Sequence, residues 1–478
     1  MRRERAAKPF PGLRQENTQP RNDMFRRVAI VGGGAAGATL LSELLERPVS
    51  QPLHLDWYTG TGTPGRGIAY GTRSERHLLN VRAASMGMFA SRPGGFLEYM
   101  QRRDPSISGT DFLPRRWYGD YLEAETATAL VRAKDKGHDV RVVPYEVDAM
   151  VPENDGVTLF QGETTTRVDA AVLALGALTP RALPGVDDDA LASGRYVTLP
   201  WSLLADAKPD TQAHNVLVIG LGLTAVDVIV ELAAIWPNAR FTAISRHGVL
   251  PEVHQASASL PFEDSEELIE AMRDAPDIRT WVHLLREAIA HTDDWRRVVD
   301  CLRPHTSALW GLLSHNDRAR FLRHARWAWE RARHRLPPQV ARTIASLEKQ
   351  GRLQRLRGHM HKVTLTSQGV QMIFAPKGED AERALDADLI VQSVGLETDV
   401  RRTQHVLLQQ MMTNGHIRSD PFGLGIDAKP DGRVLHDGKA WPRLFAIGSM
   451  LRGTLWESTA MPEIRQQARY LADQLLAD

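Results

Sequence analysis

The run Val28-Ala29-Ile30-Val31-Gly32-Gly33-Gly34-Ala35-Ala36-Gly37 constrains the fold of this 478-residue chain more than any other stretch. Its leading apolar residues suit a strand buried on both faces of a parallel sheet. Gly32, Gly34 and Gly37 then supply the pattern G-x-G-x-x-G. The first glycine permits a tight turn, the second lets the backbone approach a pyrophosphate, and the third lets helix pack close to strand. Ala38-Thr39-Leu40-Leu41 continues as a helix whose N-terminus faces the phosphates. Strand, turn and helix in this order predict a dinucleotide-binding unit.

A second organiser follows at Asn215–Asp227, where Gly220, Gly222 and Ala225 repeat the plan with alanine in the permitted third position. Two such turns are far more specific than one. The second strand of the first unit, Leu53–Tyr58, leads to Thr59, where such folds usually place an acid on the adenosine ribose. Asp56 is the alternative, and the ribose contact stays open. In the second unit, Arg240–Ser245 leads to Arg246-His247-Gly248. A cation there accepts a 2′-phosphate, so Arg246 permits NADPH; an arginine stacked on the adenine of NADH is the other reading.

Length predicts two or three bodies. A net charge of +1, with 42% hydrophobic and 24% charged residues, points away from nucleic acid and membrane surfaces as partners. No apolar run reaches the ~18 residues of a membrane span. The single cysteine, Cys301, excludes an intramolecular disulfide and a C-x-x-C redox pair, and it fits a reducing cytoplasm. Residues 1–24 are polar and Arg-rich and read as a flexible extension.

Between the two turns, Gly65–Thr72 and His77–Val81 read as a loop lying against a ligand. Asn80 sits within an apolar run, where an amide needs partners, either a flavin or a neighbouring core group. Pro114 suits a helix start, and Arg115 or Arg116 meets a phosphate or carries solvated charge. Val168–Gly176 and Asp388–Gly395 are matching glycine-ended strands, which suggests that the chain leaves the first domain and re-enters it. Residues 256–345 turn helical and rich in Trp, Arg and His, including Arg303 and Arg323. They form either ordinary amphipathic helices or a lid whose arginines hold a planar anionic substrate. The histidines show no metal-ligand spacing. Near the C-terminus, Pro462 opens a helix with Ile464, Ala468, Leu471 and Leu475 on one face.

The motifs GGGAAG (32–37), GRGIAYGT (65–72), HLLNV (77–81), LPRRWYGDYL (113–122), GLGLTAVD (220–227), SRHG (245–248) and GTLWESTAMPEIRQQA (453–468) resemble those of two-dinucleotide flavoproteins. The nearest are bacterial FAD/NAD(P)-binding proteins related to class B flavin monooxygenases. The resemblance implies an α/β fold with two Rossmann-like domains and a helical insertion. Residues 25–210 with 385–478 would hold FAD, residues 211–255 with 346–384 would hold NADH or NADPH, and residues 256–345 would form the insertion. Gly448-Ser449 stands where the wider class carries Gly-Asp, so FAD is expected to be held more loosely. The implied site residues are Gly32, Gly34, Gly37, Arg115, Gly448 and Ser449 for FAD, and Gly220, Gly222, Ala225 and Arg246 for NAD(P)H. Asn80 is expected near the flavin ring, with Arg303 or Arg323 on the substrate. The implied activity is NAD(P)H-dependent monooxygenation, in which O2 adds to reduced FAD as a C4a-(hydro)peroxyflavin and oxygen passes to a small electron-rich substrate. Urate, converted to 5-hydroxyisourate, is the first expectation, because the chain is similar to FAD-dependent urate hydroxylases in length and motif order. N-hydroxylation of an amine or amino acid and flavin electron transfer are the alternatives. None of these readings calls for a metal.

Overall fold

A computed structural model describes residues 26–209, 213–257 and 260–476. The expected extension at 1–24 lies outside them. The strands in chain order are β1 (Arg26–Val31), β2 (Leu53–Tyr58), β3 (Asp139–Val143), β4 (Ala149–Pro152), β5 (Val157–Gln161), β6 (Thr164–Val168), β7 (Ala170–Leu173) and β8 (Tyr196–Val197). They continue with β9 (Asn215–Ile219), β10 (Arg240–Ser245), β11 (Leu353–Leu365), β12 (Val370–Pro376), β13 (Arg383–Ala387), β14 (Leu389–Gln392), β15 (Arg433–His436) and β16 (Lys439–Ala446).

The first sheet runs β15-β16-β7-β1-β2-β3. β1 lies parallel between β2 and β7, so Val28 to Val31 are covered on both faces. That is why this strand is an unbroken apolar run. The helix Ala35–Glu46 packs over it against Arg115–Asp135 and the C-terminal helix Met461–Leu476. Ile464, Ala468, Leu471 and Leu475 of the last helix are buried in the same core, as their spacing predicts. The strands β4, β5 and β6 form a small antiparallel layer beside it.

The second sheet runs β13-β12-β11-β10-β9-β14-β8, with β9 lying parallel between β10 and β14. This moves the expected domain boundary. The sequence pattern places residues 385–392 in the first domain, but β13 and β14 belong to the second sheet, as does β8 from within residues 25–210. The likeness of Val168–Gly176 to Asp388–Gly395 has a different cause from re-entry. Each is the third parallel strand of its own nucleotide unit, β7 beside β1 and β14 beside β9. The fold is therefore α/β with two Rossmann-like units. The helices from Ser265–Asp274 to Arg326–Arg333 form a separate core around Trp281, Trp310 and Trp456. No helix among the described residues is long and apolar enough to cross a membrane.

Candidate active site

Gly32 adopts φ +133°, and its N–H donates to the Tyr58 carbonyl at 2.8 Å. A Cβ added there would lie 2.2 Å from the Ala174 carbonyl oxygen. The turn is thus wedged between β2 and the end of β7. A Cβ on Gly37 would come within 2.1 Å of the Gly32 carbonyl oxygen, which shows how closely the helix seats on the strand. Gly34 caps that helix without any side-chain hydrogen bond, so its first N–H groups are left for a ligand. They open into a cleft of about 520 Å³ that also carries Thr59, Glu146, Tyr70, Gly448, Ser449 and Ile464. These features fit a dinucleotide pyrophosphate.

The ribose question resolves against Asp56. Its carboxylate is buried and is bonded by Arg27 at 2.9 Å and Arg141 at 2.6 Å. Burial alone would raise its pKa, but Arg141 and Arg27 together hold it below the ordinary carboxylate value. Thr59 lines the cleft, as does the carboxylate-bearing Glu146, which follows β3 and lies beside Gly60. Sequence reading missed Glu146 because it follows another strand and carries no motif.

The second unit repeats the first. Gly220 has φ +123°, its N–H donates to the Ile244 carbonyl at 2.8 Å, and an added Cβ would lie 2.3 Å from the Ser393 carbonyl oxygen. Gly222 caps the helix Leu223–Ile235, again without a side-chain bond, and Ala225 is fully buried within it. The adjoining cleft of about 720 Å³ is lined by Arg246, His247, Gly220 and Gly222. The insertion contributes Trp327, Glu330, Arg331 and His334 to this cleft, and the His247 ring stacks on Trp327 with centroids 4.3 Å apart. Burial and the charges of Arg246, Arg357 and Lys377 lower the His247 pKa, which marks a cationic corner at the end of β10.

The two clefts share Thr224, Arg452 and Thr459. Arg452 donates to Glu330 of the insertion at 2.8 Å and lies over the Trp456 ring at 5.1 Å. None of the three was singled out from the sequence, because their meeting depends on how the two units face each other.

A third cavity, of about 790 Å³, lies between the Asn80–Ser85 stretch and the insertion. Asn80 and Arg303, separate expectations, both line it. Asn80 lines this cavity and not the first cleft, and its carbonyl accepts a hydrogen bond from His254 Nε2 at 3.1 Å. Burial beside Arg335 pushes the His254 pKa down to about 4, so the ring is neutral near pH 7. Arg303 grips Glu463 through two bonds, 2.7 and 3.1 Å, and Arg333 pairs with Glu457 at 3.0 Å. Glu463 begins the C-terminal helix, and its neighbour Ile464 lines the first cleft. The third cavity therefore adjoins the first cleft across one helical turn.

Two expected residues stand elsewhere. Arg323 is exposed on the helix His315–His324 and lines none of these three cavities, because that face of the amphipathic helix points to solvent. Arg115 pairs with Asp227 at 3.0 Å and donates to the Leu78 carbonyl at 3.3 Å, which clamps the first unit to the helix Leu223–Ile235. Its charge is thus engaged away from the glycine turn. Burial raises the Asp227 pKa to about 6 against the pull of Arg115.

Residues 29–178, which contain the first glycine turn, match a family described as FAD-NAD(P)-binding, in agreement with FAD and NAD(P) as cofactors. Among curated proteins, the L-ornithine N(5)-monooxygenase of Aspergillus oryzae is 29% identical over 164 residues, a stretch that is 32% of this chain and 32% of that protein. The chain thus matches about a third of that relative's length. Among solved structures, the ornithine N-hydroxylase of Kutzneria sp. 744, determined with reduced FAD, NADP+ and L-ornithine, superposes with TM-score 0.65 at 17% identity. That match covers 94% of this chain and 98% of the other. The L-lysine 6-monooxygenase of Pseudomonas syringae gives TM-score 0.64 at 17% identity, with the same coverage. These likenesses establish the fold, and the substrates belong to those proteins.

Proposed function

We propose that this chain is an FAD-dependent N-hydroxylating monooxygenase that uses NADPH. The observation that carries this reading is the junction at Thr224, Arg452 and Thr459, where two dinucleotide clefts open on each other beside a third, arginine-lined cavity. The similar proteins named above act on amines, which favours the amine alternative over the first expectation of urate. The overall reaction is NADPH + H+ + O2 + R–NH2 → NADP+ + H2O + R–NHOH.

FAD, when bound, would supply hydride acceptance and oxygen activation. The chain's own residues would do the rest. The uncapped helices after Gly34 and Gly222 would bind the two pyrophosphates. Arg246, with Arg357 and Lys377 nearby, would hold the 2′-phosphate, which is the reason to choose NADPH over NADH. Trp327 and the half-buried Arg452–Glu330 pair would flank the nicotinamide end of this cleft. Asn80, Arg303 and Arg333 would position the substrate in the third cavity. Such positioning contributes up to roughly 7–11 kcal/mol in well-oriented systems, so no protein nucleophile is required.

The test is purified protein with FAD and NADPH in oxygenated buffer, screened against small amines and amino acids with urate as a comparison. The reading expects one amine to accelerate NADPH oxidation and to yield a hydroxylamine in step with it. Substrate-stimulated reduction of a dye, with no oxygen entering any product, would identify an electron-transfer reductase instead.

A further inference from the structure

We infer that His334 binds the nicotinamide ring of NADPH, through a hydrogen bond between its imidazole and the carboxamide of that ring. This inference rests on the NADPH reading of the second cleft and names a further residue of that site.

The fold fixes where His334 stands. At the end of the helix Arg326–Arg333, Arg333 lines the third cavity and the next residue, His334, lines the second cleft, so the helix end is a partition between them. Glu330, one helical turn earlier, lines the same cleft and accepts a hydrogen bond from Arg452 at 2.8 Å. Both Glu330 and Arg452 lie close enough for their charges to act on the His334 ring. Arg452 belongs to both nucleotide clefts, together with Thr224 and Thr459. A hydride can pass from one cofactor to the other only at that shared end. The nicotinamide must therefore lie there, while the 2′-phosphate stays with Arg246.

A second, independent observation concerns the ring itself. The His334 imidazole makes no hydrogen bond and no ion pair among the described residues, yet neither of its nitrogens is sealed in the core. The Nε2 of His138, by contrast, is unpartnered and closed off. Both nitrogens of His334 are thus open to the cleft that the ring lines. Burial and the charge of Arg333 push the His334 pKa down to about 4, against the pull of Glu330. Near pH 7 the ring is neutral and carries one donor and one acceptor. A carboxamide offers an acceptor oxygen and two N–H donors, so either tautomer can bond to it. The neutral ring also places no positive charge against the nicotinamide cation that hydride loss leaves. Arg331 and Arg452, which line the same cleft, are already engaged by Glu252 and Glu330.

The test titrates NADP+ and 2′-phospho-ADP-ribose, which is NADP+ without its nicotinamide, into the FAD-loaded, oxidised protein by calorimetry. His334→Phe keeps a ring and removes both nitrogens. It should weaken NADP+ binding about fivefold or more and 2′-phospho-ADP-ribose binding less than about twofold, the loss of one hydrogen bond to the ring. His334→Gln, which restores a donor and an acceptor, should recover part of the affinity for NADP+. If His334→Phe loses FAD or does not fold, His334→Ala gives the same readout. Equal weakening of both ligands, or unchanged NADP+ affinity in a folded variant, would overturn the inference. A wild-type protein that binds neither ligand would refute the NADPH reading of the cleft and the inference with it. The expected binding pattern in a protein that forms no hydroxylamine from any amine would refute the monooxygenase reading and leave the contact to nicotinamide standing.

Discussion

The two nucleotide units are nearly the same object in their backbone and different objects in their charge. Gly32 and Gly220 share φ values of +133° and +123°, the same hydrogen bond back to the second strand, and the same close approach to the third strand. Both helices begin at a glycine without a side-chain cap. The divergence starts where the second strand ends. The first unit offers Thr59 and, from beyond the next strand, Glu146; the second offers Arg246 and His247. Backbone geometry therefore suits each turn to a pyrophosphate, and under the proposed function the groups beyond the strand would set which nucleotide each prefers. The third glycine position marks a further difference, because Gly37 sits too close to the Gly32 carbonyl for any side chain, whereas Ala225 is accommodated.

That contrast can be broken most forcefully at the turns. Gly37→Ala places a methyl within 2.1 Å of a backbone oxygen and should abolish FAD retention, at a cost of about 1–3 kcal/mol or more. Ala225→Gly at the matching position should cost only about 1 kcal/mol and leave NADPH binding near normal. Flavin content after purification and NADPH titration would read both, and equal tolerance at the two positions would remove the distinction. Charge comes next. Arg246→Ala should weaken NADPH binding about tenfold and leave NADH nearly unchanged, the loss of a charged hydrogen bond. Glu146→Gln should weaken FAD binding severalfold, seen by flavin fluorescence, with no change in NADPH affinity.

At neutral pH the smallest effect expected lies on the seam between the units. His77 is buried, bonds to Thr72 at 2.7 Å and faces Glu231 of the second unit at 3.7 Å. Burial and the charge of Arg115 push its pKa from 6.5 down to about 4. The unfolded chain then takes up a proton at a higher pH than the folded one. Stability should be unaffected by this group above pH 6.5 and should fall as pH drops from 6.5 towards 4, by at most roughly 1.4 kcal/mol per pH unit. Melting temperatures of wild type and His77→Asn across that range should converge at low pH. Parallel curves would show that His77 does not carry the loss.

The glycine turns were readable from the sequence because their function is local: six consecutive residues contain the turn, the close approach and the helix start. The final helix was readable for the same reason, through its 3.6-residue periodicity. Asn80 could be picked out as an amide within an apolar run and Arg303 as an arginine of the helical segment, but neither could be placed, since one lies in an early loop and the other in the insertion. Arg323 shows the limit. In composition its surroundings match those of Arg303, yet it points to solvent, because a helix rich in arginine does not reveal which face another element will cover.

By itself, then, the sequence determined two strand-turn-helix units, their order and the cation after the second one, all of which depend on residues within a few positions of one another. Only the tertiary structure decided that Asp56 is tied up by Arg27 and Arg141, that Glu146 stands in the first cleft, and that Thr224, Arg452 and Thr459 join the two clefts. It also paired Arg303 with Glu463 and left the Nε of Arg333 without a partner. The physical reason is that charge balance and burial belong to side chains brought together from distant parts of the chain, and no local pattern records which of them will meet.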